Sequence, residues 1–334
     1  MAEALRARGV AVTFAGSPDR VEARLVPEQG YPFDAFPVAG FPRRPGIALV
    51  RALGLAAAAP AACARILARR RPDVVLGGGG YVAGPMVLAA WLRRIPAAVT
   101  EADAHLGLAN RLAAPFARRV LLAYPVEGRN GAKYRVVGRP IPAASAVVPR
   151  DRARRRFELP AEGQVVLVAG GSLGARTLNE TALDAWGDAG PSVLHVCGER
   201  DYEELRGRVR RDDYRLVPFV DDYGAALGAA DLAVSRAGGS VWEIAAAGLP
   251  AVLVPYPEAT ADHQSKNAEY FARAGGAVIV PDREARARVP ALVAELLADP
   301  AGLERRAAAM RAAARPHAAD EIADELISIA TARR

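Results

Sequence analysis

Three short apolar runs in this chain end in glycine-rich turns: VVLGGGGYVAGP at 74–85, VVLVAGGSLGARTLN at 165–179 and LAVSRAGGSVWEIAAAGLP at 232–250. Glycines between a strand and a helix let the backbone approach a phosphate, and the first helical N–H groups then point at it. None carries the lysine of a P-loop, and none reads cleanly as G-x-G-x-x-G. Any one could be an ordinary tight turn; it is their recurrence that points to phosphate chemistry. Polar side chains stand in these turns. Tyr81 follows Gly78, Gly79 and Gly80; Ser172 lies between Gly171 and Gly174; Ser240 follows Gly239, with Glu243 three residues on. Glu101, Asp103 and His105 trail another apolar run, and His263 and Gln264 open a helical pattern. Each has a plain structural reading as well. Ser172 could cap a helix, Glu243 could answer a helix dipole, Tyr81 could pack in a core, and His263 and Gln264 could simply be solvated.

Turns of this kind bind ligands only at the C-terminal ends of parallel strands. In the first half, strand candidates at 10–15, 73–76, 97–100 and 120–123 alternate with helical stretches, including a long one at 47–70 edged by arginines. Residues 134–137 lead into the proline-rich GRPIPAASAVVPR, the best linker candidate. The pattern then restarts, with strand candidates at 165–169, 193–196, 216–219, 232–235 and 251–254. A helical tail follows at 289–330, where Pro300 and Pro316 mark helix starts. Alternation of this kind predicts an α/β chain of two doubly wound parallel-sheet domains facing across a cleft. Their expected bounds are 1–142 and 143–315, with a last helix at 316–334 returning to the first domain.

At 334 residues, 51% apolar and 24% charged, the chain can build two ordinary cores. Cys63 and Cys197 lie too far apart in sequence for a metal or redox spacing, which suits a reducing compartment. No stretch reaches the ~18 apolar residues of a membrane span. The net charge of +7 is almost all arginine, since only Lys133 and Lys266 are lysines. No basic stretch is interleaved with aromatics, so nucleic acid is not an expected partner. Trp91-Leu92-Arg93-Arg94 and Arg69-Arg70-Arg71 would suit an anionic membrane surface, although Trp91 could equally be a core residue.

Gly-Gly-Ser-x-Gly-Ala-Arg after a strand, followed by Arg-x-Gly-Gly-Ser-x-x-Glu-Ile-x-x-x-Gly-x-Pro, resembles the MurG family of glycosyltransferases. The stretches Phe219-Val220-Asp221-Asp222 and Asp262-His263-Gln264-Ser265-Lys266-Asn267-Ala268 extend the resemblance, which covers almost the whole chain. It implies the GT-B fold and an inverting transfer of N-acetylglucosamine. The sugar would pass from UDP-N-acetylglucosamine to a lipid-linked diphospho-sugar acceptor, lipid I, in peptidoglycan synthesis at the cytoplasmic face of the cell membrane. By the same resemblance Gly171, Ser172 and Gly174 would face the nucleotide phosphates, and Gly239 and Ser240 the diphosphate. The Val220 backbone would meet uracil, Glu243 the ribose hydroxyls, and Gln264 and His263 the sugar. Gly78, Gly79, Gly80 and Tyr81 would face the acceptor diphosphate. No cofactor is expected, and no metal, since no Asp-x-Asp motif stands near a strand end.

The chain also departs from the family pattern. The family's His-Glu-x-Asn reads Thr100-Glu101-Ala102-Asp103 here, so Glu101 matches while Asp103 adds a negative charge. Asn-Pro-x-Arg reads Arg139-Pro140-Ile141-Pro142, leaving Arg139 to supply the missing cation. The family's glycine loop ending in histidine, the usual source of the catalytic base, has no counterpart, and His105 is the substitute to consider. The opening MAEALRARGVAVTFAG reads as a β-loop-α-β unit from its middle onward. An upstream strand and loop in a longer gene product are therefore expected. Two other functions stay open: a related transferase with another lipid-linked or glycolipid acceptor, and a UDP-sugar-binding protein without activity of its own.

Overall fold

The computed structural model describes residues 1–40, 46–171 and 174–332. It divides into one unit of Met1–Pro140 with His317–Arg334, and another of Ile141–Pro316.

The first unit opens with helix α1 (Ala2–Ala7), ended by Gly9 at φ +74°. Strand β1 (Phe14–Gly16), helix α2 (Glu22–Glu28) and strand β2 (Phe33–Ala35) follow. Helix α3 (Ile47–Arg70) matches the stretch read from sequence. Then come β3 (Val75–Gly77), α4 (Gly80–Leu92), β4 (Ala97–Glu101), α5 (Leu108–Ala113), β5 (Arg119–Leu122) and β6 (Tyr134–Val136). The strands form two separate parallel ladders, β1-β2 and β3-β4-β5-β6. The strand expected at 10–15 is therefore shorter and later, because its ladder partner β2 spans only three residues. Sequence reading missed β2, whose central Asp34 looks like a loop residue. That carboxylate is buried and held by Arg69 and Arg70 at 2.7 Å each, and the two guanidiniums keep it below the usual carboxylate range.

The second unit contains α6 (Arg150–Arg156), β7 (Val165–Ala169), α7 (Arg176–Trp186), β8 (Ser192–Val196) and α8 (Glu199–Leu205). It continues with β9 (Tyr214–Val217), α9 (Tyr223–Ala229), β10 (Leu232–Ser235), α10 (Val241–Ala246), β11 (Ala251–Leu253), α11 (His263–Arg273), β12 (Ala277–Ile279), α12 (Ala285–Leu297) and α13 (Pro300–Ala313). Six parallel strands make one sheet in the order β12-β11-β10-β7-β8-β9. Every residue of β7 and β10 is buried, which explains the unbroken apolar sequence of β7 and the apolar run of β10 up to its closing Ser235. Asp222 caps α9 by accepting from the Ala225 N–H at 3.0 Å. Asp299 does the same for α13, from Gly302 at 2.8 Å with Pro300 in the first turn.

Two buried polar groups fix this core. The Arg154 guanidinium donates to the carbonyls of Ala229, Pro160, Ala161 and Gly163 and to Asp231, between 2.9 and 3.1 Å. His195 sits inside β8 between the Tyr214 hydroxyl at 2.8 Å and Asn179 Oδ1 at 3.0 Å. Burial pushes its imidazole down to about 3, so it is neutral and structural.

The last helix, α14 (Ala318–Thr331), belongs to the first unit. Ile322, Leu326 and Ile329 repeat every three to four residues and pack against Ala98 and Leu121 of the four-stranded sheet and Val137 just beyond β6, beside Met1 and Leu5 at α1. Arg8 bridges to Asp320 and Asp324 at 2.9 Å, tying α1 to this helix.

Candidate functional site

In the second unit β7 and β10 are neighbours, with Ala169 opposite Ser235, so their glycine turns leave the sheet side by side. The Ser235 hydroxyl donates to the Ala169 carbonyl at 2.9 Å and joins the two strand ends. Gly171 and Gly174 have φ of +93° and +73°. A Cβ on Gly174 would lie 2.0 Å from the Cys197 carbonyl oxygen, so the turn closes against the end of β8 only because that side chain is absent. Ser172 lies outside the described residues. After β10, Arg236 is buried and donates to Asp282 at 2.5 Å and to the Val254 and Pro255 carbonyls, with its guanidinium 5.6 Å from the Tyr256 ring centre. Asn267, buried on α11, donates to the Ala237 carbonyl at 3.1 Å. The turn containing Gly239 and Ser240 is thus pinned from both sides.

Gln264 takes the Tyr256 N–H on Oε1 at 2.9 Å, which leaves its amide nitrogen near Gly238. His263 begins α11 with Nδ1 2.8 Å from the Thr260 carbonyl. Glu243 lies half-buried in the first turn of α10 and accepts a hydrogen bond from the Ser145 hydroxyl. Val220 follows β9 beside the exposed ring of Phe219. Val220, Gly239, Ser240, Glu243, His263 and Gln264 all stand just beyond the ends of parallel strands or at the helix starts that follow. Arg236, Asp282, Asn267 and Ser145 were missed as site residues. An arginine directly after a strand was the available signal for the first; nothing local marks Ser145.

In the first unit the turn after β3 places Gly79 at φ +92° and Gly80 at φ +68° ahead of α4, with Gly78 just before them. The Tyr81 hydroxyl accepts from Arg20 Nε at 3.0 Å. Glu101 ends β4 with a carboxylate already occupied. Its Oε1 accepts from the N–H groups of Ala102 and Asp103 at 3.0 and 3.4 Å; its Oε2 accepts from Gly107 N and Asn110 Nδ2 at 2.9 Å. That makes Glu101 the organiser of the loop carrying Asp103 and the half-buried His105. Arg139 is half-buried beyond β6. Among the described residues no group of three His, Cys, Asp or Glu side chains could hold a metal ion, and no helix is long and apolar enough to cross a membrane.

Residues 1–122 match the glycosyltransferase family 28 N-terminal domain, and residues 165–324 match the family 28 C-terminal domain. A UDP-N-acetylglucosamine–N-acetylmuramyl-(pentapeptide) pyrophosphoryl-undecaprenol N-acetylglucosamine transferase of Halorhodospira halophila is 43% identical over 97% of this chain and 91% of its own. The transferase of the same name from Acidithiobacillus ferrooxidans is 41% identical over 99% and 93%. Crystalline MurG from Acinetobacter baumannii superposes with a TM-score of 0.81 at 29% identity, covering 98% of this chain and 94% of that one. The calicheamicin glycosyltransferase CalG4 shares the fold alone, with a TM-score of 0.68 at 16% identity over 98% and 94%. With both domain models matched in order and identity above 40% along nearly the whole chain, this protein belongs to the MurG family of GT-B glycosyltransferases.

Proposed function

We propose that this chain transfers N-acetylglucosamine from UDP-N-acetylglucosamine to lipid I, undecaprenyl-diphospho-muramoyl-pentapeptide, in peptidoglycan synthesis. The observation that carries this is the 43% identity to the Halorhodospira halophila transferase, sustained over 97% of the chain and so through both units. In the reaction the acceptor hydroxyl oxygen bonds to C1 of the sugar with inversion. The bond from C1 to the β-phosphate oxygen breaks, UDP departs with that electron pair, and the hydroxyl proton passes to a base.

On the donor side the turn after β7, with Gly171, Ser172 and Gly174, and the turn with Gly239 and Ser240 receive the diphosphate. Their N–H groups meet the charge that grows as UDP leaves. Glu243 accepts from the ribose hydroxyls, the Val220 backbone meets uracil, and the Gln264 amide and His263 read the sugar. The orientation of Gln264 by the Tyr256 N–H supports this assignment. On the acceptor side the left-handed Gly79 and Gly80 open a turn suited to the second diphosphate, with Gly78, Tyr81 and Arg139 beside it in the assignment. Asp103 lines the same loop. His105 takes the proton, the usual task of histidine in such steps, and Glu101 holds the loop that presents it.

The same reading includes peripheral attachment to the cytoplasmic face of the cell membrane. Support comes from α4 and α5, which pack together and expose Trp91 (52%), Leu92 (63%), Leu108 (68%) and Leu112 (64%) next to Arg93, Arg94 and Arg111. Exposed apolar side chains beside arginines match an anionic lipid surface.

The test is transfer of labelled N-acetylglucosamine to lipid I by the purified chain, with UDP release measured in parallel. Transfer is expected to depend on lipid I, and its absence would overturn the acceptor assignment. His105→Ala should lower kcat by about 10²–10⁴ while UDP affinity stays put; an unchanged kcat would remove His105 from the role.

A further inference from the structure

Glu243 is the side chain on which ribose recognition rests, and the structure surrounds it with hydroxyls that the motif does not contain. The proline-rich passage leaving the first unit forms a single 3-10 turn, Ala143–Ser145, and then lies along α9. Two glycines one helical turn apart make room for it. A Cβ on Gly224 would lie 2.0 Å from the Ala146 carbonyl oxygen, and one on Gly228 2.0 Å from that of Val148. The Val148 N–H donates back to the Gly224 carbonyl at 3.2 Å. So fixed, the segment delivers the buried Ser145 hydroxyl to Glu243 Oε1. Glu243 Oε2 makes no hydrogen bond among the described residues. The Tyr223 hydroxyl, at the start of α9, is buried with no partner in hydrogen-bonding geometry, and the Ser240 side chain is the one group near enough to ease its phenol downward. Burial and then the Glu243 charge push the phenol above its ordinary value, which puts it in the field of that carboxylate.

A buried hydroxyl without a partner is costly in a closed core and is expected where a ligand completes it. We propose that Ser145 and Tyr223 complete the ribose subsite. Ser145 is a positioning residue: it holds Oε1 of Glu243 so that Oε2 is presented to the ribose diol. Tyr223 is a further binding residue that offers its hydroxyl to the bound nucleoside diphosphate. This rests on the reading of Glu243 as the ribose carboxylate.

Calorimetry with UDP and with 2′,3′-dideoxyuridine 5′-diphosphate tests it on the full chain and three variants. Glu243→Ala should weaken UDP about tenfold or more and leave the dideoxy analogue unchanged. Ser145→Ala should weaken UDP about five- to tenfold, spare the dideoxy analogue, and add nothing in the Glu243→Ala background. Tyr223→Phe should weaken UDP several-fold while its thermal midpoint holds or rises, because a purely structural phenol without a partner gives no reason for affinity to fall. If Glu243→Ala leaves UDP binding intact, the donor reading fails and this inference with it. If Glu243→Ala weakens UDP but Ser145→Ala does not, or acts equally on both nucleotides, the positioning role alone is overturned. Unchanged UDP affinity in Tyr223→Phe overturns the binding role of the phenol, and that variant remains informative should Ser145→Ala fold poorly.

Discussion

The second unit runs six parallel strands through one ladder with β7 at its interior, whereas the first divides six strands between a pair and a set of four. Among the described residues the first unit therefore presents four outer strand edges and the second two. Each edge is a row of N–H and C=O groups without ladder partners, and the backbone beside it is held more loosely. The glycine turns inherit the difference. After β7, Gly174 sits against the Cys197 carbonyl beyond β8 with no room for a methyl group, and the Ala169 carbonyl at the strand end is held by Ser235 of β10. The turn after β3 opens from an edge strand, and a Cβ on Gly80 would meet nothing within 4 Å. A donor with a fixed diphosphate calls for a rigid cradle. On the proposed reading, the second unit's continuous sheet is the one that supplies it.

The sharpest way to break the contrast is to place alanine in each turn. Gly174→Ala should cost the second unit about 3–5 kcal/mol and abolish UDP binding, since both its φ and the Cys197 carbonyl forbid a Cβ. Gly80→Ala, strained only by its φ of +68°, should cost about 1–2 kcal/mol. Equal costs in urea unfolding would erase the distinction.

Acid should act through the second unit as well. His195 is neutral when folded, with its value lowered to about 3, so the unfolded chain takes up the proton first as pH falls through about 6.5. Stability present above pH 6.5 is then lost progressively toward pH 3. At pH 4 the loss should reach about 3 kcal/mol. In His195→Gln this portion should vanish, so its stability gap to the parent chain closes by that amount between pH 7 and pH 4. A constant gap would show that the imidazole titrates alike in both states.

UDP at a hundred times its Kd should add about 2.7 kcal/mol to the transition it is linked to. Hydrogen exchange should slow in β7–β12 and stay fast in β1 and β2; equal slowing in both units would contradict a donor site confined to the second. The smallest effect belongs to the first unit's surface. Arg93→Glu and Arg94→Glu should each weaken binding to anionic vesicles by about 1 kcal/mol, with the loss fading in high salt. Binding that ignores both charge and salt would separate this patch from lipid.

The same contrast decides what could be read before the structure. β7 and β10 coincide with their sequence assignments because both faces of each are buried, which writes β7 as an unbroken apolar run and β10 as one broken only by its last residue, Ser235. The helix Ile47–Arg70 was legible from its composition and its arginine ends. β2 and β12, three residues each, were not. Asp34 hides the first, and Ala277–Ile279 is a sheet-edge strand too short to show a period. β9 lies two residues earlier than expected because its register is set by Val193 opposite Tyr214, whose hydroxyl answers His195; Phe219 is left outside as an exposed ring. At the site, the glycine turns and Glu243 carry local patterns. Ser145 reaches Glu243 across 98 positions and Arg236 reaches Asp282 across 46, separations that only the folded sheet can close.

Because α14 seals the face of β3–β6, the first unit is made of two pieces of chain while the second is one continuous stretch, Ile141–Pro316. On a ribosome adding ~5–20 residues per second, the sheet that emerges first waits roughly 10–40 s for the helix that covers Ala98, Leu121 and Val137. During that interval the second unit is synthesised whole and can fold. The half of the enzyme made earliest is thus the last to be finished, and in the meantime it presents an apolar sheet face that is a natural substrate for a chaperone.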